Sequence, residues 1–259
     1  MLRWRVVTAL ILAPIVLGAI LYGGWAIPVM ILLVVARAAQ ELARALKPLP
    51  FWAAYGAGAL PVLLSIPYGA TGALAGVVLS LPWALLWLAG QPEARTLRAL
   101  LALLLMALWV GTPMAHLSLI EDELVGGSYL ILVAVVGPWI SDSGAYFAGR
   151  LFGRHPLFPN LSPKKTIEGG IGGVLLTTVA VGYFTYWFLD FGPIEAALCG
   201  MTISILSQAG DLFESILKRI LDLKDLGRAL PGHGGILDRI DSLLFTAPAI
   251  YYFYVLFAL

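Results

Sequence analysis

Asp211, Asp238 and Asp241 fall within one stretch, DLFESILKRILDLKDLGRALPGHGGILDRID, that holds 11 of the chain's 31 Asp, Glu, Lys and Arg residues. Asp238 and Asp241 are three residues apart, a spacing that puts both on one face of a helix. Carboxylates so placed repel each other unless a cation stands between them or each has a base. Arg239 is adjacent in sequence but points elsewhere on a helix, so it serves neither. A hard divalent cation such as Mg²⁺ takes oxygen ligands and leaves room in its shell for water and phosphate. Asp211 and Asp238 are the candidates to hold it across the intervening loop, with Asp241 as a third ligand or as a partner of one. Residues 211–224 have helical periodicity with a polar face, and bland alternatives exist for this part of the stretch. Asp211 and Glu214 have capping-box spacing, and Glu214 with Lys218 fits an ordinary surface pair.

A second group of residues supplies positive charge. In GPWISDSGAYFAGRLFGRHPLFPNLSPKKTIEGGIGG, Asp142 sits at the inner end of an apolar run, where an acid has to be paired, hydrated or neutral. Lys164 and Lys165 follow Ser162-Pro163 and precede Thr166 and Glu168, which makes a proline-stiffened loop with two ammonium groups and a hydroxyl on each side. That combination suits phosphate, although a double lysine is also an ordinary topology signal. Gly169, Gly170, Gly172 and Gly173 are read as packing residues. Ser204, Ser207 and Gln208 precede Asp211 and either satisfy one another or line a wet cleft. His116 is not catalytic in this reading, and His155 has no clear acid partner. His233, among Gly232, Gly234 and Gly235, is placed to orient a phosphate or to move a proton. Glu41 and Arg44 form a helical pair with a structural role.

The elements that position these groups are membrane helices. Of 259 residues, 60% are hydrophobic and 12% charged, with a mean hydropathy of +0.92, outside the usual soluble composition. Stretches of roughly the 20 residues needed to cross a bilayer fall at 5–22, 24–40, 51–68, 70–89, 99–119, 128–148, 170–189, 193–210 and 243–259. The expectation is an all-α polytopic membrane protein of nine spans. Its first span is retained rather than cleaved as a signal. With the N-terminus inside and the C-terminus outside, all 16 Lys and Arg lie at inner segments or inner span ends. Residues 1–127 are then N-terminal membrane helices and 128–259 the catalytic membrane region, in one continuous domain with inner loops 149–169 and 211–242. A polar cleft facing the cytoplasm follows. One cysteine, Cys199, excludes an internal disulfide framework and a cysteine-based metal site. A net charge of +1, spread along the rim, excludes a nucleic-acid footprint.

Acidic metal ligands, neighbouring lysines and an apolar body together suit phosphoryl or nucleotidyl transfer between a water-soluble phosphate compound and a lipid. A transporter, or another metal-dependent lipid transferase acting on a prenyl diphosphate or a phospho-alcohol, would also use such acids. The exact pattern is narrower. Ser215, Lys218-Arg219, Lys224-Asp225, Gly227, Leu230-Pro231, His233-Gly234-Gly235, Asp238-Arg239 and Asp241 resemble the signature of phosphatidate cytidylyltransferases. Asp142-Ser143-Gly144-Ala145-Tyr146-Phe147, Gly149-Arg150 and Ser162-Pro163-Lys164-Lys165-Thr166 with Glu168-Gly169 resemble the same family, so that the likeness covers residues 137–241.

The resemblance implies transfer of a cytidylyl group from CTP to phosphatidate, giving CDP-diacylglycerol and pyrophosphate. It also implies Mg²⁺, potassium as a possible second cation, a homodimer and a bacterial inner membrane. Asp211, Asp238, Lys164 and Lys165 become the catalytic residues, and Asp211, Asp238 and Asp241 the metal ligands. Substrate contacts are expected from Asp142, Ser162, Thr166, Ser204, Ser207, Gln208, Ser215, Lys218, Arg219, Lys224, His233, Gly234, Gly235 and Arg239.

Overall fold

The computed structural model of the chain describes residues 2–46, 49–90, 97–159, 161–223, 225–227 and 234–257. Ten α-helices, one π-helical segment and one two-stranded ribbon account for nearly all of them. The helices are α1 (Leu2–Tyr22), α2 (Ala26–Ala45), α3 (Phe51–Gly90), α4 (Leu97–Leu105), α5 (Thr112–Glu123), α6 (Gly127–Phe152), α7 (Ile167–Phe188), α8 (Pro193–Ile220), α9 (Leu237–Ile240) and α10 (Leu243–Phe257). Seven helical stretches among the described residues are long and apolar enough to cross a membrane, and Leu10–Tyr22 is a shorter apolar helix. The protein is a polytopic integral membrane protein. Two compact units divide it: residues 1–125 with 224–240, and residues 126–223 with 241–259.

In the first unit, α2 buries Ile27, Ile31, Val35, Ala38 and Leu42, spaced by three and four residues so that they form one stripe. α3 is a hairpin of two helices. Gly69 breaks it with φ 57° and ψ −144°, a conformation closed to a residue with a β-carbon. The indole N–H of Trp83 donates to the Ala53 carbonyl at 3.0 Å, which shows the second half running back along the first. Glu123, at the end of α5, accepts the Ala70 amide at 3.3 Å just past the break. Each half approximates the length of one bilayer crossing.

In the second unit, α6, α7 and α8 pack through small residues, which let membrane helices approach closely. A β-carbon added at Gly144 would lie 2.8 Å from the Gly172 carbonyl, and one at Gly200 would lie 2.7 Å from the Thr178 α-carbon. Gly172 and Gly173 are therefore packing residues. Pro138 lacks the N–H that would have bonded the Ala134 carbonyl one turn back. The hydroxyl of Thr246 on α10 donates to that carbonyl at 2.8 Å, so the proline's cost is met by a neighbouring helix.

Two local expectations gain detail. The inner loop expected over 149–169 contains a ribbon: β1 (Pro156–Phe158) and β2 (Ser162–Thr166) pair antiparallel, with an irregular register between Pro156↔Thr166 and Phe158↔Ser162. The span expected to end near 210 and the helical section read over 211–224 form one uninterrupted helix of 28 residues that ends at Ile220. At 1.5 Å per residue that is about 42 Å, longer than the ~30 Å of a bilayer core. Asp211 lies inside this helix rather than at its start, which rules out the capping-box role.

Candidate active site

α8 carries a polar stripe. Ser204, Ser207, Gln208, Asp211, Glu214, Ser215 and Lys218 recur at intervals of three and four residues, which brings them to one face. Along its lower part the stripe is tied to neighbouring helices. Ser204 and Ser141 on α6 share a hydrogen bond of 2.8 Å, and Gln208 Nε2 donates to the Gly170 carbonyl of α7 at 3.2 Å and to Ser204 Oγ at 3.3 Å. Ser207 Oγ is buried with no hydrogen-bond partner among the described residues. Of the mutual satisfaction expected among Ser204, Ser207 and Gln208, the described residues show the one bond from Gln208 to Ser204.

At the upper part of the stripe, Asp211, Glu214 and Asp241 each bring one carboxylate oxygen to within 4.8 Å of the others. Asp241 reaches the group because the chain re-enters the second unit against Gly210. A β-carbon there would lie 2.6 Å from the Asp241 carbonyl oxygen and 2.9 Å from the Ser242 α-carbon. Ser242 Oγ donates to the Ser207 carbonyl at 3.0 Å, and the Ser242 amide donates to Asp241 Oδ1 at 2.8 Å. Glu214 is 1% exposed, so its charge is taken out of water. Its pair with Lys218 forms, but as a buried contact and not the surface pair expected from the spacing.

Lys165 stands against this cluster, with its ammonium in contact with Asp211 Oδ2. Burial pulls the Lys165 ammonium below the usual lysine range; Asp142 and Asp241 act to hold it charged, and Lys218 opposes them. Lys164 is exposed. Alternation along β2 sends the two neighbouring side chains to opposite faces, and only Lys165 meets the acids. Thr166 caps α7, its Oγ accepting the Gly169 amide at 3.1 Å. Glu168 closes the base of the ribbon: it accepts the Arg154 and His155 amides at 3.1 and 3.2 Å and pairs with His155 Nδ1 at 2.6 Å. His155 therefore does have an acid partner. Ser162 opens β2, while Asp142 and Arg219 are exposed.

Three neighbouring carboxylates, one of them in contact with a lysine ammonium, form a set of hard oxygen donors that fits a divalent cation. Asp211 and Asp241 were named from sequence; Glu214 was not, because its spacing to Lys218 imitates a solvent-facing pair. Asp238, Arg239, Gly234 and Gly235 belong to the first unit. There Asp238 Oδ2 accepts the Gly235 amide at 2.8 Å, while Arg239 is exposed. Glu41 was also misjudged. It does not pair with Arg44 but is buried, its two oxygens accepting the Ile236 and Leu237 amides at 2.8 and 3.0 Å. Lys224 and His233 lie outside the described residues.

Several known proteins are similar to this chain. The phosphatidate cytidylyltransferase of Bacillus subtilis (strain 168) is 41% identical over 155 residues, 60% of this chain and 58% of the relative. That of a Synechocystis species is 47% identical over 133 residues, 50% of this chain and 44% of the relative. That of Staphylococcus haemolyticus is 49% identical over 126 residues, 48% of each chain. The chain thus spans about half the length of the curated relatives it matches. The Cytidylyltransferase family matches residues 3–257, a range that takes in the ribbon lysines and every acid of the cluster, and the chain belongs to that family.

Proposed function

We propose that the protein transfers the cytidylyl group of CTP to phosphatidate. A phosphatidate phosphate oxygen attacks the α-phosphorus, a new P–O bond forms, the bond from that phosphorus to the bridging oxygen breaks, and pyrophosphate leaves. The observation that supports this most is the meeting of Asp211, Glu214 and Asp241 with Lys165 on one polar face of a membrane helix. Mg²⁺ bound by these acids would neutralise phosphate charge and polarise the phosphorus under attack. The sequence pattern and the resemblance both favour Asp238 as a further ligand.

The lipid phosphate is already anionic at neutral pH, so the reaction needs no protein nucleophile. Alignment and electrostatics remain to be supplied by the chain. Lys165 is the group placed to meet the charge that grows on the leaving phosphates, exchanging its contact with Asp211 for a phosphate oxygen as the site fills. Lys164, Arg219 and Arg239, all exposed, are suited to drawing the anionic substrates to the mouth. The acyl chains stay in the lipid beside the apolar helix faces, while the head group enters the polar stripe.

The placement of all 16 basic residues supports nine crossings with this site facing the cytoplasm, and the resemblance suggests a bacterial inner membrane. Potassium as a second cation and a homodimer belong to the same proposal. Activity with and without K⁺, and particle mass in detergent, check them. The function itself is tested by incubating purified protein with phosphatidate, Mg²⁺ and each of the four nucleoside triphosphates. CTP alone should give a nucleotide-linked lipid, and turnover that is indifferent to the base would defeat the assignment.

A further inference from the structure

Glu41 sits one turn before the end of α2 and is 3% exposed, and both its oxygens are engaged by the chain 195 and 196 positions away. Three successive amides run along that distant segment. The Gly235 N–H points to Asp238 Oδ2, while those of Ile236 and Leu237 point to Glu41 Oε1 and Oε2. The helix that follows, α9, has four residues. One turn of helix does not hold itself, because nucleation fixes several dihedrals for a single hydrogen bond. Its first amides have no partner within the helix and must find one elsewhere. Glu41 provides it, with charge-assisted bonds stronger than neutral ones.

Two glycines fit the same account. A β-carbon at Gly227 or at Gly235 would overlap the Glu41 carboxylate, which is buried and bonded and has nowhere to move. Gly234, at φ +80°, turns the chain so that the next amide reaches Asp238. The absence of side chains at 227 and 235 is thereby explained by a residue near the other end of the sequence.

We propose that Glu41 is a positioning residue: by accepting the Ile236 and Leu237 amides it fixes the turn that presents Asp238, so that the cation chemistry of that acid depends on α2. This rests on the assignment of Asp238 to the ligand set. Glutamine in place of Glu41 keeps the size but offers one acceptor and sets an NH₂ group against the other amide.

The test uses the full chain in detergent micelles, with hydrogen exchange and kinetics read on the same preparations. In Glu41→Gln, exchange over residues 234–240 should rise about tenfold, as for the loss of one hydrogen bond to a charged group, while peptides of α6, α7 and α8 keep their protection. The Mg²⁺ concentration for half-maximal transfer should rise about fivefold, with most of the maximal rate recovered at saturating Mg²⁺. Gly235→Ala should speed exchange in the wild-type background and add little in Glu41→Ala, where the space has been vacated. Unchanged exchange over 234–240 in Glu41→Gln, or additive effects of Gly235→Ala and Glu41→Ala, would overturn the tie itself. Altered exchange with an unchanged Mg²⁺ requirement would overturn its role in positioning Asp238. Wild-type protein that transfers no cytidylyl group would instead strike the proposed reaction, and the exchange measurements would still decide whether Glu41 holds the turn.

Discussion

Carboxylates gathered as closely as Asp211, Glu214 and Asp241 are stable only with positive charge among them, and in the structure Lys165 and Lys218 provide some of it. Asp211→Asn and Asp241→Asn each replace a charged oxygen ligand with a weaker neutral one. Each should lower turnover by at least about a hundredfold at limiting Mg²⁺. Asp222→Asn is the control. Asp222 is exposed at φ 54°, a backbone state that asparagine also adopts, and its rate should stay within about twofold of wild type. Steady-state rates across a Mg²⁺ series measure all three. The two lysines separate next. Lys165→Gln should lose more transfer than Lys164→Gln, and added Mg²⁺ should not restore it, because the missing group acts on phosphate rather than on the cation; full recovery of Lys165→Gln by Mg²⁺ alone would refute that role. Sequence named both lysines without choosing between them. The choice comes from β2, whose alternation could not be read while 149–169 was read as a loop.

At the scale of elements, α8 and the turn at Asp241 make the cluster by pressing their backbones together at Gly210. Gly210→Ala should therefore have opposed effects. Alanine favours helix over glycine by about 1 kcal/mol, so helical content should hold or rise. The added methyl group nevertheless meets the Asp241 backbone, which cannot step aside cheaply, and the Mg²⁺ requirement should increase. Circular dichroism and Mg²⁺ titration of activity on one sample check both, and an unchanged requirement would mean that Asp241 is not held by this contact. Most helices were legible from hydropathy alone, including both halves of α3 on either side of Gly69. Helical periodicity past 210 was legible too, but not that it joins the preceding span in one unbroken α8, since charged residues there look like the end of a span. Glu214 stayed hidden for a related reason: a spacing of four to Lys218 says nothing about burial. Glu41 could not have been found locally, because its partners lie 195 and 196 residues away.

For the whole molecule, every Lys and Arg falls on one side of the proposed membrane topology, and the outer turns carry acids such as Glu121. With Cys199 replaced, Lys164→Cys and Glu121→Cys should react with an impermeant thiol reagent from opposite faces of sealed vesicles. Labelling of both from one face would reject nine crossings. The central claim, that this membrane site moves a cytidylyl group onto phosphatidate, is tested most directly by following the two ends of CTP. Purified protein is given phosphatidate, Mg²⁺ and CTP labelled either at the α- or at the γ-phosphate, and the lipid and aqueous phases are counted. The account predicts α-label in the lipid, γ-label in water-soluble pyrophosphate, and the two in equal amounts. Label from the γ-position in the lipid, or pyrophosphate released without α-label reaching the lipid, would contradict it.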